Sequence, residues 1–233
     1  SGYPNDKRWA VSCADHKYTA DAGKTALWTY KENNVTKQGY WALAADPSAK
    51  ADYRKNYNNN MCPGKWDIPK YVSEDNNIVD ANLSNVNWYI LRYADVLLLY
   101  AEALNEWKKG PSSEAFAAVN AVRRRGYGLP VSTSSSVADL DSSLGYEQFR
   151  QAVRIERAHE LAFEGHRRQD LVRWGNYYET IQQTFDALAE WHDQSQEYYK
   201  LAQYTTMKGK YELLPIPQRD KDLCPLFKQN PGW

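Results

Sequence analysis

Three glutamates four residues apart, Glu156, Glu160 and Glu164, constrain this chain more than any other feature. At helical spacing they form one stripe. That stripe shares its face with Phe149, Val153 and Phe163, so the carboxylates point at packed surface rather than open water. Like charges at this spacing repel, and the stripe is tolerable only with cations against it. Arg157, Arg167, Arg168 and Arg173 lie nearest in sequence and are the expected partners. The pattern predicts a helix from about Tyr146 that breaks at Gly165, then a shorter helix over Arg167 to Trp174 ending at Gly175. Glu156 and His159 have the i, i+3 spacing of carboxylate-bridged metal sites, but such sites need a second copy on another helix. The chain has none, and His159-Glu160 lacks the second histidine of a zinc-protease motif. The expected role of the stripe is an ion-pair scaffold, with no metal and no catalytic residue.

Upstream, Asn87 to Trp107 reads as a helix covered on most sides, with Arg92, Asp95, Glu102, Asn105 and Glu106 on one polar stripe. Its longest apolar run, Val96 to Tyr100, reads as core. Lys108-Lys109-Gly110-Pro111 ends it, and Ser112 can cap a second helix with Glu114 in its first turn. Ala115, Ala118, Val119 and Val122 give that helix a small-residue face. Arg123, Arg124 and Arg125 suit its last turn and Gly126 its end. The pair has about the length of one tetratricopeptide unit, and a second, degenerate pair starts at Tyr146. One such hairpin cannot bury its own face. Gly128 to Gly145 reads as a polar linker, Asn176 to Tyr199 as a further helix, and Tyr211 to Ile216 as a short extended piece.

Residues 1–70 lack helical periodicity; 1–86 reads as a loop-rich segment with short strands, the candidate ligand-binding surface, and 87–233 as a helical region, within one compact domain. Trp9, Val11 and Cys13 alternate with small residues, which predicts a short strand, and Thr25 to Tyr30 a second, joined by Ala14 to Lys24. From Tyr40 to Trp66 the chain is loop chemistry, rich in Asn, Gly, Pro and aromatic rings. The nine Trp and 18 Tyr of the chain are unusual, and those outside periodic helices are the binding candidates. Trp28, Tyr30, Tyr40, Trp41, Tyr57, Asn58 and Trp66 combine ring faces for stacking with amides and hydroxyls for hydrogen bonding, the mixture a sugar needs.

Equal numbers of Lys plus Arg and of Asp plus Glu, 29 each, argue against a nucleic-acid partner or a polybasic membrane surface. No run approaches the roughly 18 apolar residues of a membrane helix. There is no nucleophile elbow and no phosphate-cradling glycine loop, so neither an enzyme nor a cofactor is expected. Cys13, Cys62 and Cys224 have no metal-like spacing; one disulfide with a free thiol and three unrelated thiols both stay open.

The run Glu156-Arg157-x-x-Glu160-Leu161-x-Phe163-Glu164-Gly165-x-Arg167-x-x-Asp170-Leu171-x-Arg173-Trp174 resembles the signature of the SusD-like (RagB/SusD) family of outer-membrane nutrient-binding lipoproteins. Arg92 to Asn105 is similar to its repeat helix and Asn120 to Arg125 to the partner helix. Leu213 to Gln218 and Lys228 to Trp233 are similar to its C-terminal ending. Asp6-Lys7-Arg8-Trp9 matches loosely where the family often has an Asp-Pro-Arg-Phe-like start.

The resemblance implies a mainly α fold with tetratricopeptide-like hairpins, long aromatic-rich loops and a few short strands. It also implies that this is the C-terminal portion of a longer, lipid-anchored protein on the cell outer membrane, touching the membrane only through that anchor. Function would be non-catalytic capture of a glycan or oligosaccharide and its delivery to a SusC-like TonB-dependent transporter. The alternatives are a peptide-binding member of the same family and a tetratricopeptide-type protein-interaction module.

Overall fold

The computed structural model describes residues 5–14, 16–18, 25–27, 29–32, 35–38, 62–65, 87–190, 204 and 207–233. They belong to two compact units, one up to residue 166 and one from residue 167. The fold is mainly α. The composition boundary near residue 86 falls outside the described residues.

In the first unit the chain enters through a five-residue helix, α1 (Arg8–Ser12), not the expected strand. Asp6 decides this, because its carboxylate accepts the backbone N–H of Arg8 at 2.9 Å and caps the turn. The expected alternation over three positions, Trp9, Val11 and Cys13, is too short to tell a strand from one helical turn. Short antiparallel ribbons follow. β1 (Cys13–Ala14) pairs with β6 (Cys62–Pro63), with Cys13 opposite Pro63. β2 (His16–Tyr18), inside the expected connection, pairs with β3 (Thr25–Leu27). β4 (Thr29–Glu32) pairs with β5 (Val35–Gln38), so the expected strand over 25–30 contributes to two ribbons.

Three helices make the core of this unit. α2 (Tyr93–Lys108) starts six residues later than its pattern suggests, because Arg92 stays extended at φ −122°, ψ 153°. Its end uses Lys109 in the left-handed region (φ 54°) rather than Gly110, with the Gly110 N–H on the Asn105 carbonyl. α3 (Ser113–Gly126) is capped as expected, the Ser112 hydroxyl accepting from the Ala115 N–H. α4 (Tyr146–Glu160) packs on both. Ala94, Leu98 and Ala101 meet Ala115, Ala118, Val119 and Val122, and Phe149 and Val153 close the cluster. The small residues let the α2 and α3 backbones approach closely, while Phe116 and Phe149 stack edge to face at 4.8 Å.

α2 is not covered on most sides. Leu98 is fully buried and Leu97 partly, but Val96, Leu99 and Tyr100 of the same apolar run are exposed. The connection 127–145 is no loose linker either. Ala138 is fully buried, Leu140 and Leu144 lie on the core, and Asp139 pairs with Arg124. The Leu140 N–H is held by the Asn120 amide oxygen at 2.9 Å.

The second unit holds α5 (Arg167–Arg173), α6 (Tyr177–Glu190) and α7 (Gln218–Leu223). Gly175 ends α5 with φ 72°, as read from sequence. Residues 211–216 form no strand. The Gln229 side chain instead grips the Ile216 backbone, accepting its N–H at 2.8 Å and donating to its carbonyl at 3.0 Å. Asn230 donates to the Leu214 carbonyl. Tyr204, Tyr211 and Trp233 stack edge to face. Cys224 is a free thiol.

Candidate functional site

α4 ends at Glu160, five residues before the expected break, because Phe163 and Gly165 both take left-handed backbone (φ 63° and 84°). Glu156 and Glu160 therefore stand on the last turn of α4 and Glu164 on the turn beyond it. Phe163 swings out and is exposed, whereas Phe149 and Val153 are fully buried. The three carboxylates are nevertheless buried together.

Their cations come from far along the chain. Glu156 accepts from Arg8 at 2.6 Å and Arg123 at 3.0 Å. Glu160 accepts from Arg8 at 3.0 Å, Arg92 at 2.8 Å and Arg125. Glu164 takes a two-pronged contact from Arg92, at 2.7 and 2.8 Å, and the Lys65 ammonium. Arg92 and Lys65 also donate to the Glu160 carbonyl at the C-terminus of α4, where the helix dipole favours cations. Arg8 is shared further with Asp6. Beside this lattice, buried Arg157 pairs with buried Asp95 at 2.6 Å.

The cations expected opposite the stripe serve other groups. Arg157 serves Asp95, Arg168 donates to the Tyr211 carbonyl, Arg173 pairs with Asp170, and Arg167 lies over the Trp174 ring. Two of the actual partners, Arg123 and Arg125, belong to the arginine triplet whose place in the last turn of α3 suits the helix dipole, and Arg92 belongs to the polar stripe expected upstream. α3 ends at Gly126 as expected, though the left-handed residue beyond it is Gly128, φ 71°. Gly126 has a second use, since a Cβ there would run into the Arg8 guanidinium. The Lys7 N–H donates to the Gly126 carbonyl at 3.0 Å, completing the dock of residues 6–8 on the end of α3.

The titrations follow from this enclosure. Burial pushes the Glu160 carboxyl up, but Arg125, Arg92 and Arg8 outweigh it and hold it below its ordinary 4.5. Asp6 is likewise held below 3.8, burial being outweighed by the Arg8 hydrogen bonds. Burial pulls the Lys65 ammonium below 10.5 against the attraction of Glu164, and pulls the His159 imidazole below 6.5. Both the depressed carboxyls and the depressed imidazole remove stability in acid, because the unfolded chain binds more protons than the folded one. Thermal midpoints should hold near neutral pH, decline as pH falls through about 6.5 and His159 resists charging, and drop steeply below about 4.5 as Glu160 and Asp6 are protonated. Melts recorded across that range test this, and His159→Gln should remove the first decline alone. A midpoint unchanged from pH 7 to pH 5 would contradict the imidazole's part.

Chemically the lattice is a lock. Each carboxylate of the stripe is engaged by at least two cations, so none stands ready as an acid, base or ligand. Among the described residues no group of three or more His, Cys, Asp or Glu is placed to hold a metal ion, and no helix is long and apolar enough to cross a membrane. Of the sequence-predicted binding residues, Trp28, Tyr40, Trp41, Tyr57, Asn58 and Trp66 lie outside the described residues. Tyr30 has its backbone on β4 opposite Lys37, and its side chain is likewise outside them.

The frame that carries this lock is shared with known proteins. A solved SusD homolog from Bacteroides thetaiotaomicron is 51% identical and superposes with a TM-score of 0.84, over 99% of this chain and 41% of its own. The SusD-like protein P25 of Formosa agariphila is 32% identical over 162 residues, 70% of this chain and 25% of that protein. The SusD-like protein P2 of the same organism is 42% identical over 90 residues, 39% of this chain and 17% of that protein. The chain thus spans a quarter or less of these two curated relatives. A family profile described as the SusD family matches residues 4–233. The chain belongs to the SusD family.

Proposed function

We propose that this chain is part of a non-catalytic nutrient-binding protein of the outer-membrane surface. In this reading it captures a glycan or oligosaccharide and passes it to a SusC-like TonB-dependent transporter. The family match over residues 4–233 carries the reading. The closed lattice supports it, because a ligand meets no free charge at Glu156, Glu160 or Glu164 and recognition is left to uncharged contacts. The loop residues Trp28, Tyr30, Tyr40, Trp41, Tyr57, Asn58 and Trp66 supply those: ring faces for stacking, amides and hydroxyls for hydrogen bonds. No bond is broken.

Affinity electrophoresis against a panel of soluble polysaccharides, followed by calorimetry, tests the proposal. One polysaccharide should retard the chain, and Trp41→Ala or Trp28→Ala should weaken it about fivefold, the worth of roughly 1 kcal/mol of stacking. Retardation that ignores both substitutions would keep the function and reject these rings. Failure with every polysaccharide, for this chain and for the full-length protein alike, would reject glycan capture.

A further inference from the structure

In the second unit three aromatic rings stand in a row. Tyr204 meets Tyr211 at 4.8 Å between ring centroids, and Tyr211 meets Trp233 at 5.7 Å. Tyr211 is half-buried, while the two outer rings, Tyr204 and Trp233, are 43% and 45% exposed. The tail holds the row in place, because the Trp233 indole N–H donates to the carbonyls of Lys210 and Leu213, both at 3.1 Å. Lys210 lies across it, its ammonium 4.4 Å from the Trp233 ring centroid and 5.4 Å from that of Tyr211. Gly232 makes the room: its backbone is left-handed at φ 82°, and a Cβ there would stand 2.9 Å from the Lys210 Cβ. Lys208 is paired with Glu179, but among the described residues no carboxylate pairs with Lys210. A tail clamp accounts for the half-buried Tyr211. It does not account for two outer rings in solvent or for an ammonium held in place without a counter-charge.

We propose that Tyr204, Trp233 and Lys210 form a saccharide subsite that takes an acidic sugar. The sugar ring lies against the two exposed aromatic rings, and an anionic oxygen, of a carboxylate or a sulfate ester, meets the Lys210 ammonium. Aromatic faces stack on the apolar side of a sugar ring. A lysine ammonium is a compact point charge with three donors, suited to one anionic oxygen. Ring row and tail are fixed beforehand, so little ordering opposes binding. The inference rests on the glycan capture proposed above and narrows its ligand class. None of its residues is among the loop residues named there.

The test runs the full-length polypeptide carrying this segment through affinity gels of polygalacturonate, alginate, λ-carrageenan and neutral dextran at low salt. At least one acidic polymer should retard it. Lys210→Met keeps the stem that packs on Gly232 and removes the charge; it should weaken that binding about tenfold and flatten its salt dependence. Tyr204→Ala should weaken it about fivefold. Lys228→Met, the same charge change at an exposed site of the same unit, should leave it unchanged, and thermal melts of all three should match the parent. Retardation by the uronate polymers alone assigns the anionic oxygen to a carboxylate, and by λ-carrageenan alone to a sulfate ester. Acidic-polymer binding that Lys210→Met leaves intact would overturn the subsite. Retardation by the neutral polymer alone would overturn it too and leave glycan capture standing, whereas failure with every polysaccharide would reject both.

Discussion

Glu156→Ala should lower the thermal midpoint by roughly 10 °C, more than any truncation of one exposed charge. The side chain is fully buried between Arg8 and Arg123. Removing it takes from the buried Arg123 guanidinium the carboxylate it donates to, and from Arg8 one of three. Breaking a buried pair in this way costs about 3–5 kcal/mol, and in a domain of this size each kcal/mol moves the midpoint by about 2–4 °C. Glu156→Gln, which keeps the shape and an acceptor oxygen, should fall between. Glu147→Ala removes an exposed partner of Arg150 and should change stability by under about 1 kcal/mol. Circular-dichroism melts of the three variants decide the matter. A Glu156→Ala midpoint within about 2 °C of the parent would mean that the lattice is not what holds this unit.

The second large effect is a steric one with an electrostatic origin. Gly126→Ala should destabilise by about 2 kcal/mol even though alanine is the better helix former by about 1 kcal/mol. The new methyl needs the space of the Arg8 guanidinium, which cannot retreat while Asp6, Glu156 and Glu160 hold it. Arg8→Lys keeps the charge and withdraws the planar group. In that background Gly126→Ala should be neutral or stabilising, a coupling of about 1–3 kcal/mol in a double-mutant cycle read from urea midpoints. Additivity within about 0.5 kcal/mol would show that the contact does not decide why glycine stands there.

What the sequence carried well was local. The Ser112 cap, the small-residue face of α3, the stop at Gly175 and the scaffold role of the acidic stripe all follow from spacing and side-chain chemistry. What it missed was remote. Carboxylates announce a need for cations but not which cations, so the nearest arginines were the natural choice and Arg8, Lys65, Arg92, Arg123 and Arg125 were not. The same demand shifted two helix ends. Arg92 stays outside α2 to reach Glu160 and Glu164, and α4 stops where Arg92 and Lys65 take its last carbonyl. α2 is more exposed than its composition suggests, because an apolar row alone does not say which of its sides the fold covers. The rings and amides chosen for ligand contact rest on composition alone.

The lattice is a set of closures of very different length. Arg123 reaches Glu156 across 33 residues, Arg92 reaches Glu160 across 68, and Arg8 reaches Glu156 across 148. Chain entropy rises only logarithmically with such a span, so the longest closure costs about 1 kcal/mol more than the shortest. Segments strung between the anchor points can therefore gain or lose residues while the frame keeps its geometry and nearly all of its stability. A fold fastened in this way separates what must stay fixed from what is free to vary: lengthening a loop between two anchors changes the surface it offers, not the knot that holds it.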